Sequence, residues 1–316
     1  MTDHHAPEVV CFGETMVVLV TEDARPIAGD SHLVLRVGGA ESNVAVSLAG
    51  LGHRARWVSA VGADPFGRII VDEITGAGVD TSYVVTDEEA PTGLYVKDPA
   101  DGSTRVHYYR RGSAASRLDA AHLAPSSGQG ARVVHVSGTT PALSESCRRL
   151  THAIVDDRAF GEATVSFDVN HRPGLWPVAE AADELAAIAR RADIVFVGRD
   201  EAEGLWGTAT AEDVRIFLPE PTTLVVKDGA VGATTFGPDG TAWAEALSVE
   251  VVETVGAGDA FAAGWLSGWL RDLGPECTLR LGHLLASRAV QVVGDHPEPP
   301  TQDEIDRFLA QRKRKD

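Results

Sequence analysis

Positive charge is scarce in this chain: 28 Lys and Arg stand against 46 Asp and Glu, a formal net charge of −18. Nucleic acids and anionic membranes both require a basic face, so neither is an expected partner. An anionic small molecule stays open, because a few buried arginines can reverse the field locally. Cysteine is also sparse. Cys11, Cys147 and Cys277 lie far apart, with no CxxC and no Cys/His cluster. That gives no sign of zinc or a disulfide framework and fits a reducing cytosol. No apolar run approaches the roughly 18 residues of a membrane span. Met1–Glu8 lacks the basic n-region and apolar core of a signal peptide, so a soluble, cytoplasmic protein is expected. Internal repeats and low-complexity linkers are absent. The closing Arg312–Lys315 run reads as a solvated helix end rather than a nucleic-acid tail.

What is present is ordinary in bulk: 316 residues, 44% hydrophobic and 23% charged, enough to bury a large core. Short β-branched runs at Val9–Phe12, Val133–Val136, Thr164–Asp168, Ile194–Val197 and Leu224–Lys227 read as strands. Most are continuously apolar, as parallel strands covered on both faces must be. Ala-rich segments such as Ala179–Arg191 lie between them and read as helices, so the pattern implies βαβ units and a doubly wound sheet. Two stretches alternate instead, Val17–Val37 and Thr92–Arg111. The second reads as a hairpin turning at Asp101-Gly102. These excursions are expected to form a small separate sheet.

One stretch carries chemistry on its face: Glu253-Thr254-Val255-Gly256-Ala257-Gly258-Asp259. It follows a strand-like run, Leu247–Val252, and precedes an apolar helix pattern reaching Trp269. A Gly-Ala-Gly turn that opens a helix points backbone N–H groups outward with no side chain in the way, and the helix dipole favours an anion there. Asp259 at the same place would repel a phosphate unless its carboxylate faces elsewhere. The economical reading makes it a base for an acceptor hydroxyl, with the Gly256–Gly258 amides holding a transferring phosphoryl group. The bland alternative is a glycine turn beside an ordinary aspartate. A dinucleotide fingerprint fits poorly, since Phe261 holds its third glycine position and too little chain follows.

A second stretch, Gly38-Gly39-Ala40-Glu41-Ser42-Asn43 running to Gly52, is followed by Val58–Val61 and the loop Gly62–Gly67. The two stretches together resemble the N-terminal and C-terminal signatures of the ribokinase-like (PfkB) carbohydrate kinases, in the family's order and with a comparable βα pattern between them. The resemblance covers Val9 to about Phe308. It implies a ribokinase-like three-layer α/β sandwich with a mostly parallel central sheet, in one domain spanning 1–316. A small β-sheet lid would come from segments at about 14–37 and 92–111. It implies ATP and Mg²⁺ as cofactors, Asp259 as base, Gly256, Ala257 and Gly258 as anion hole, and sugar contacts from Gly38, Gly39 and Asn43. Lids in this family often pair between subunits, so a homodimer is an expectation by analogy.

Tyr108–Ser116 and Asp168–Trp176 are similar to stretches of 2-keto-3-deoxygluconate kinases, which places Tyr95, Tyr108, Arg110 and Arg172 against a sugar acid. Guanidinium forks pair a carboxylate bidentately; the alternative is that both arginines cap helices or tie surface carboxylates. On the nucleotide side, Lys227 and Gly229 match a Lys-x-Gly stretch beside ATP. Glu201 matches the last residue of an Asn-x-x-Glu motif associated with Mg²⁺, although Gly198 stands where the asparagine would be. A solvated helix start is the competing reading of Glu201. Glu253 stands where most members have Asp, at a position that helps bind an activating monovalent cation (K⁺), and its length puts that activation in doubt. The substrate expected is a small sugar or sugar acid, 2-keto-3-deoxygluconate first. A neutral sugar such as fructose or ribose, 5-dehydro-2-deoxygluconate, and a non-catalytic sugar-binding regulatory homologue are the alternatives.

Overall fold

The computed structural model describes residues 6–311 apart from 24, 101, 102, 124–126, 293, 295 and 296. The Asp101-Gly102 turn and the Arg312–Lys315 run therefore lie outside the described residues. Strand β1 (Val9–Phe12) starts the body, and β2 (Met16–Thr21) and β3 (Leu33–Gly38) leave it. The chain returns through α1 (Ala40–Gly50), β4 (Ala55–Gly62), α2 (Pro65–Gly76) and β5 (Val84–Asp87), then departs again as the hairpin β6 (Leu94–Ala100) and β7 (Ser103–Tyr109). Strands and helices then alternate: β8 (Val133–Ser137), α3 (Glu145–Val155), β9 (Thr164–Asp168), α4 (Val178–Arg191) and β10 (Ile194–Gly198). After these come α5 (Arg199–Trp206), α6 (Ala211–Phe217) and β11 (Thr223–Asp228). The chain closes with β12 (Gly232–Gly237), β13 (Gly240–Glu245), α7 (Ala257–Leu270), α8 (Pro275–Ala289) and α9 (Gln302–Ala310).

The large sheet runs β13-β12-β11-β10-β9-β8-β1-β4-β5. Every pairing from β11 to β5 is parallel, and the β11–β12–β13 edge is antiparallel. Two-sided burial explains the continuous apolar runs. Along β1, Val9 and Cys11 enter a core shared with Leu48 of α1, Phe261 of α7 and Leu281 of α8. Val10 and Phe12 enter the opposite core with Leu150 of α3 and Leu185 of α4. Side chains alternate across a strand, so a strand with helices on both faces has no polar side. The result is the expected three-layer α/β sandwich.

The two excursions join into one four-stranded sheet, β3-β2-β6-β7. Its base is bolted to the body at Thr92, whose N–H donates to Asp64 Oδ2 at 2.8 Å and whose Oγ1 accepts from Gly62 N at 2.9 Å. Asp64 also caps α2 by accepting from Gly67 N, so one side chain fixes both a helix start and the root of the small sheet. One expectation is corrected. Leu247–Val252 forms no strand; β13 ends at Glu245 and the run is irregular, with Val251 and Val252 exposed. Its β-branched residues suit a strand, but no neighbouring strand offers a ladder. Val252 N instead donates to Val290 O at the end of α8, at 2.7 Å.

Candidate active site

The parallel strands end in a cleft of about 660 Å³ roofed by the small sheet, the place where open α/β sheets bind ligands. Helix α7 supplies one wall. Gly256 is its N-cap with φ +79, a left-handed conformation that glycine adopts without strain. Ala257 begins the helix and stays out of the cleft lining, whereas Gly256, Gly258 and Asp259 border it. A Cβ on Gly258 would lie 3.6 Å from Lys227 Nζ, which puts that ammonium directly beside the turn.

Helix α1 supplies the facing wall. Asn43 Nδ2 donates to Asp259 Oδ2 at 2.8 Å, so the residue expected to touch sugar also fixes the rotation of the expected base. Gly39, its N-cap, sits where a Cβ would fall 2.5 Å from Glu14 O and 2.7 Å from Thr15 Oγ1, so only glycine fits. Gly38 closes β3 opposite Met16 and also lines the cleft.

The floor is a charge cluster at the ends of β9, β10 and β11. Lys227 Nζ donates to Asp168 Oδ2 at 2.7 Å. Burial pushes the Lys227 pKa down, but the charges of Asp168 and Glu201 outweigh it and hold the group above the ordinary lysine value. Glu201 is no solvated helix start. Its two oxygens accept from the N–H groups of Gly198 (3.1 Å) and His171, and it lines the cleft. Burial first, then the charge of Asp168, raise its pKa, with Lys227 opposing. Asp168 itself is 4% exposed, and its Oδ1 has no hydrogen-bond partner among the described residues. A buried carboxylate oxygen without a partner, on a residue that lines the cleft, is suited to accept a further ligand. Mg²⁺ is characteristically held by one or two carboxylates together with substrate phosphates, so Asp168 and Glu201 fit that ion.

The lid side carries Tyr95 and Tyr108, directly paired across β6 and β7 with ring centroids 5.5 Å apart. Arg110 lies over the Tyr108 ring at 5.6 Å. Its guanidinium is not unengaged, however. Arg110 Nε donates to Glu14 Oε2 at 2.6 Å, and Ser113 Oγ donates to Glu14 Oε1 at 2.5 Å. Glu14 is almost wholly buried and neutralises Arg110. Arg172, exposed on the loop after β9, pairs with no carboxylate among the described residues; its Nη1 donates only to His171 O at 3.2 Å.

Twelve of the expected site residues line one cleft: Gly38, Gly39, Asn43, Tyr95, Tyr108, Arg110, Arg172, Glu201, Lys227, Gly256, Gly258 and Asp259. Gly229 does not; it has φ +49 in the β11–β12 turn, which accounts for glycine there. Glu253 lies behind the turn, ion-paired to Lys97. Sequence reading passes over Glu14, Lys97 and Asp168. An acidic residue between two apolar strands and a lysine inside an apolar lid strand are the signals that point to the first two. Asp168 stands inside the Asp168–Trp176 stretch, where only Arg172 is singled out.

A three-layer α/β body with a small β-sheet over a glycine-opened helix start is the architecture of the ribokinase-like class of small-molecule kinases. Residues 6–302 match the pfkB family of carbohydrate kinases, and the chain belongs to that family. It is a phosphotransferase with an alcohol group as acceptor. The 2-dehydro-3-deoxygluconokinase of Bacillus subtilis is 36% identical over 97% of this chain and 96% of the relative. The 2-dehydro-3-deoxygalactonokinase of Haloferax volcanii is 32% identical over 96% of each. A fructokinase of Xylella fastidiosa with bound ATP superposes with a TM-score of 0.86 at 26% identity, covering 96% of this chain and 98% of that one.

Proposed function

We propose that this protein transfers the γ-phosphate of ATP to the terminal hydroxyl of a keto-sugar acid, 2-keto-3-deoxygluconate (2-dehydro-3-deoxygluconate), giving the 6-phosphate. The observation that carries the reading is Asp259. It stands at the head of α7, between an aromatic lid side and a Lys227–Asp168–Glu201 floor suited to a metal-bound polyphosphate. The substrate choice is supported by Arg172, a guanidinium in the cleft without a carboxylate partner among the described residues, and by relatives named for such acids.

Asp259 orients the acceptor hydroxyl and takes its proton as the oxygen attacks phosphorus. Asn43 holds one carboxylate oxygen, so the base is set before substrate arrives. The Gly256–Gly258 amides and the start of α7 stabilise charge on the transferring group, and Lys227 adds a positive charge beside them. Asp168 and Glu201 would hold Mg²⁺, which when bound neutralises phosphate charge. Tyr95, Tyr108 and the lid exclude water, suppressing ATP hydrolysis. Arg172 pairs the substrate carboxylate, and Arg110 contributes the N–H groups not spent on Glu14.

A coupled ADP-release assay tests this over 2-keto-3-deoxygluconate, its 4-epimer 2-keto-3-deoxygalactonate, 5-dehydro-2-deoxygluconate, fructose and ribose. The keto acids are expected to give the highest kcat/KM. A preference for fructose or ribose would overturn the sugar-acid assignment, and no ADP with any sugar would overturn kinase activity itself.

A further inference from the structure

The lid is tied to the catalytic turn by a buried ion pair that sequence reading does not anticipate. Lys97 sits in β6, opposite Val106 of β7 and beside Val20 of β2. It is 8% exposed. It borders the cleft, and a buried ammonium is costly unless paired; its partner is Glu253 Oε1, 156 residues away in sequence. Glu253 Oε2 accepts from Gly294 N at 3.2 Å, and Glu253 N donates to Val290 O at 3.2 Å. One residue thus joins the lid, the chain just beyond α8 and the segment leading into Gly256.

These partners do not fit a monovalent metal ion at Glu253. Oε1 already meets a full positive charge, and a K⁺ ion bound there would confront the Lys97 ammonium. We infer that Lys97 is a positioning residue whose ammonium acts as a built-in monovalent cation for the anion-hole turn, so that turnover needs no added K⁺. Because this cation rides on the lid, closing the lid also sets the turn. The inference rests on the kinase reading for its kinetic part only; ion binding is read separately.

The test uses the full chain in tetramethylammonium buffer, with and without KCl at constant ionic strength. Wild type should show the same kcat in both and the same melting temperature. Lys97→Met should lose about 10–100-fold in kcat, part of the ~10²–10³-fold that outright loss of one anion-hole donor costs, with KM for ATP changed far less. K⁺ should recover part of that kcat and raise the melting temperature of this variant, a response that loss of packing would not produce. Lys97→Arg should retain most activity. If Lys97→Met fails to fold, Lys97→Met/Glu253→Gln removes both charges, should fold, and should be less impaired than Glu253→Gln alone. A K⁺-dependent melting temperature or kcat in wild type overturns the inference, as does wild-type turnover in Lys97→Met or simple additivity in the double variant. A wild type that releases no ADP counts against the kinase reading, and its melting response to K⁺ still decides this one.

Discussion

In the proposed reaction Asp259 acts on the acceptor hydroxyl and Arg172 on the substrate carboxylate, so removing each should fail differently. Asp259→Asn is nearly isosteric and can still meet Asn43 across the cleft, so the fold and ATP binding should persist while kcat drops about 10²–10⁴-fold, as for loss of a general base. Circular dichroism and nucleotide titration check the first part and steady-state kinetics the second; an Asn variant with more than half of wild-type kcat would mean another group activates the hydroxyl. Arg172→Ala should cost a keto-sugar acid about 10–100-fold in kcat/KM and fructose little, the signature of one lost charge-assisted pair. Arg110→Ala should behave otherwise, because it also strands Glu14. Breaking a buried pair costs about 3–5 kcal/mol, so its melting temperature should fall along with activity toward both sugars. Equal loss of both substrates in Arg172→Ala would remove the carboxylate role.

At the start of α7 the two glycines are held for separate reasons. Gly256 needs its φ of +79, and Gly256→Ala should destabilise the protein by about 1–2 kcal/mol through left-handed strain. Gly258 has no such need: an added Cβ meets only Lys227 Nζ, at an ordinary 3.6 Å. Gly258→Val should therefore keep a native melting temperature and lose turnover, because its branched side chain projects where, in the proposed reaction, phosphate approaches backbone amides. Normal activity in Gly258→Val would place the phosphoryl group elsewhere. The helix start itself was legible from Gly-Ala-Gly-Asp before a run of apolar residues. The preceding Leu247–Val252 run misled because strand propensity is local while a strand requires a neighbour to pair with.

Across the whole molecule, acid stability should report on a histidine buried in the central sheet, within electrostatic reach of Asp168 and Lys227. His135 lies in the middle of β8, its Nδ1 against Ser166 Oγ at 3.0 Å, and burial holds its pKa down to about 4. The unfolded chain binds a proton at the ordinary value of 6.5, so between these values the unfolded state carries more protons and stability rises with pH. The stabilisation is complete above about pH 6.5 and is lost as pH falls toward 4, about 3 kcal/mol in all. His135→Gln should flatten the melting-temperature profile over that window. An unchanged slope would show that other groups, such as the many surface carboxylates, dominate it.

Local pattern was sufficient for the layers, the parallel core strands, the separate small sheet and the helix carrying Asp259. These follow from side-chain periodicity and from what glycine and aspartate do at a helix start, both of which act over a few residues. Which charges neutralise one another was decided only by tertiary structure. Arg110 is expected from sequence to face substrate and is shared with Glu14; Glu201 is open between solvent and metal and is held beside Asp168 and Lys227; Glu253 matches a monovalent-cation position that its length puts in doubt, and it meets Lys97. Each pairing joins residues from different strands or from lid and body. Electrostatic partners are set by distance in space, which composition and spacing along the chain do not contain.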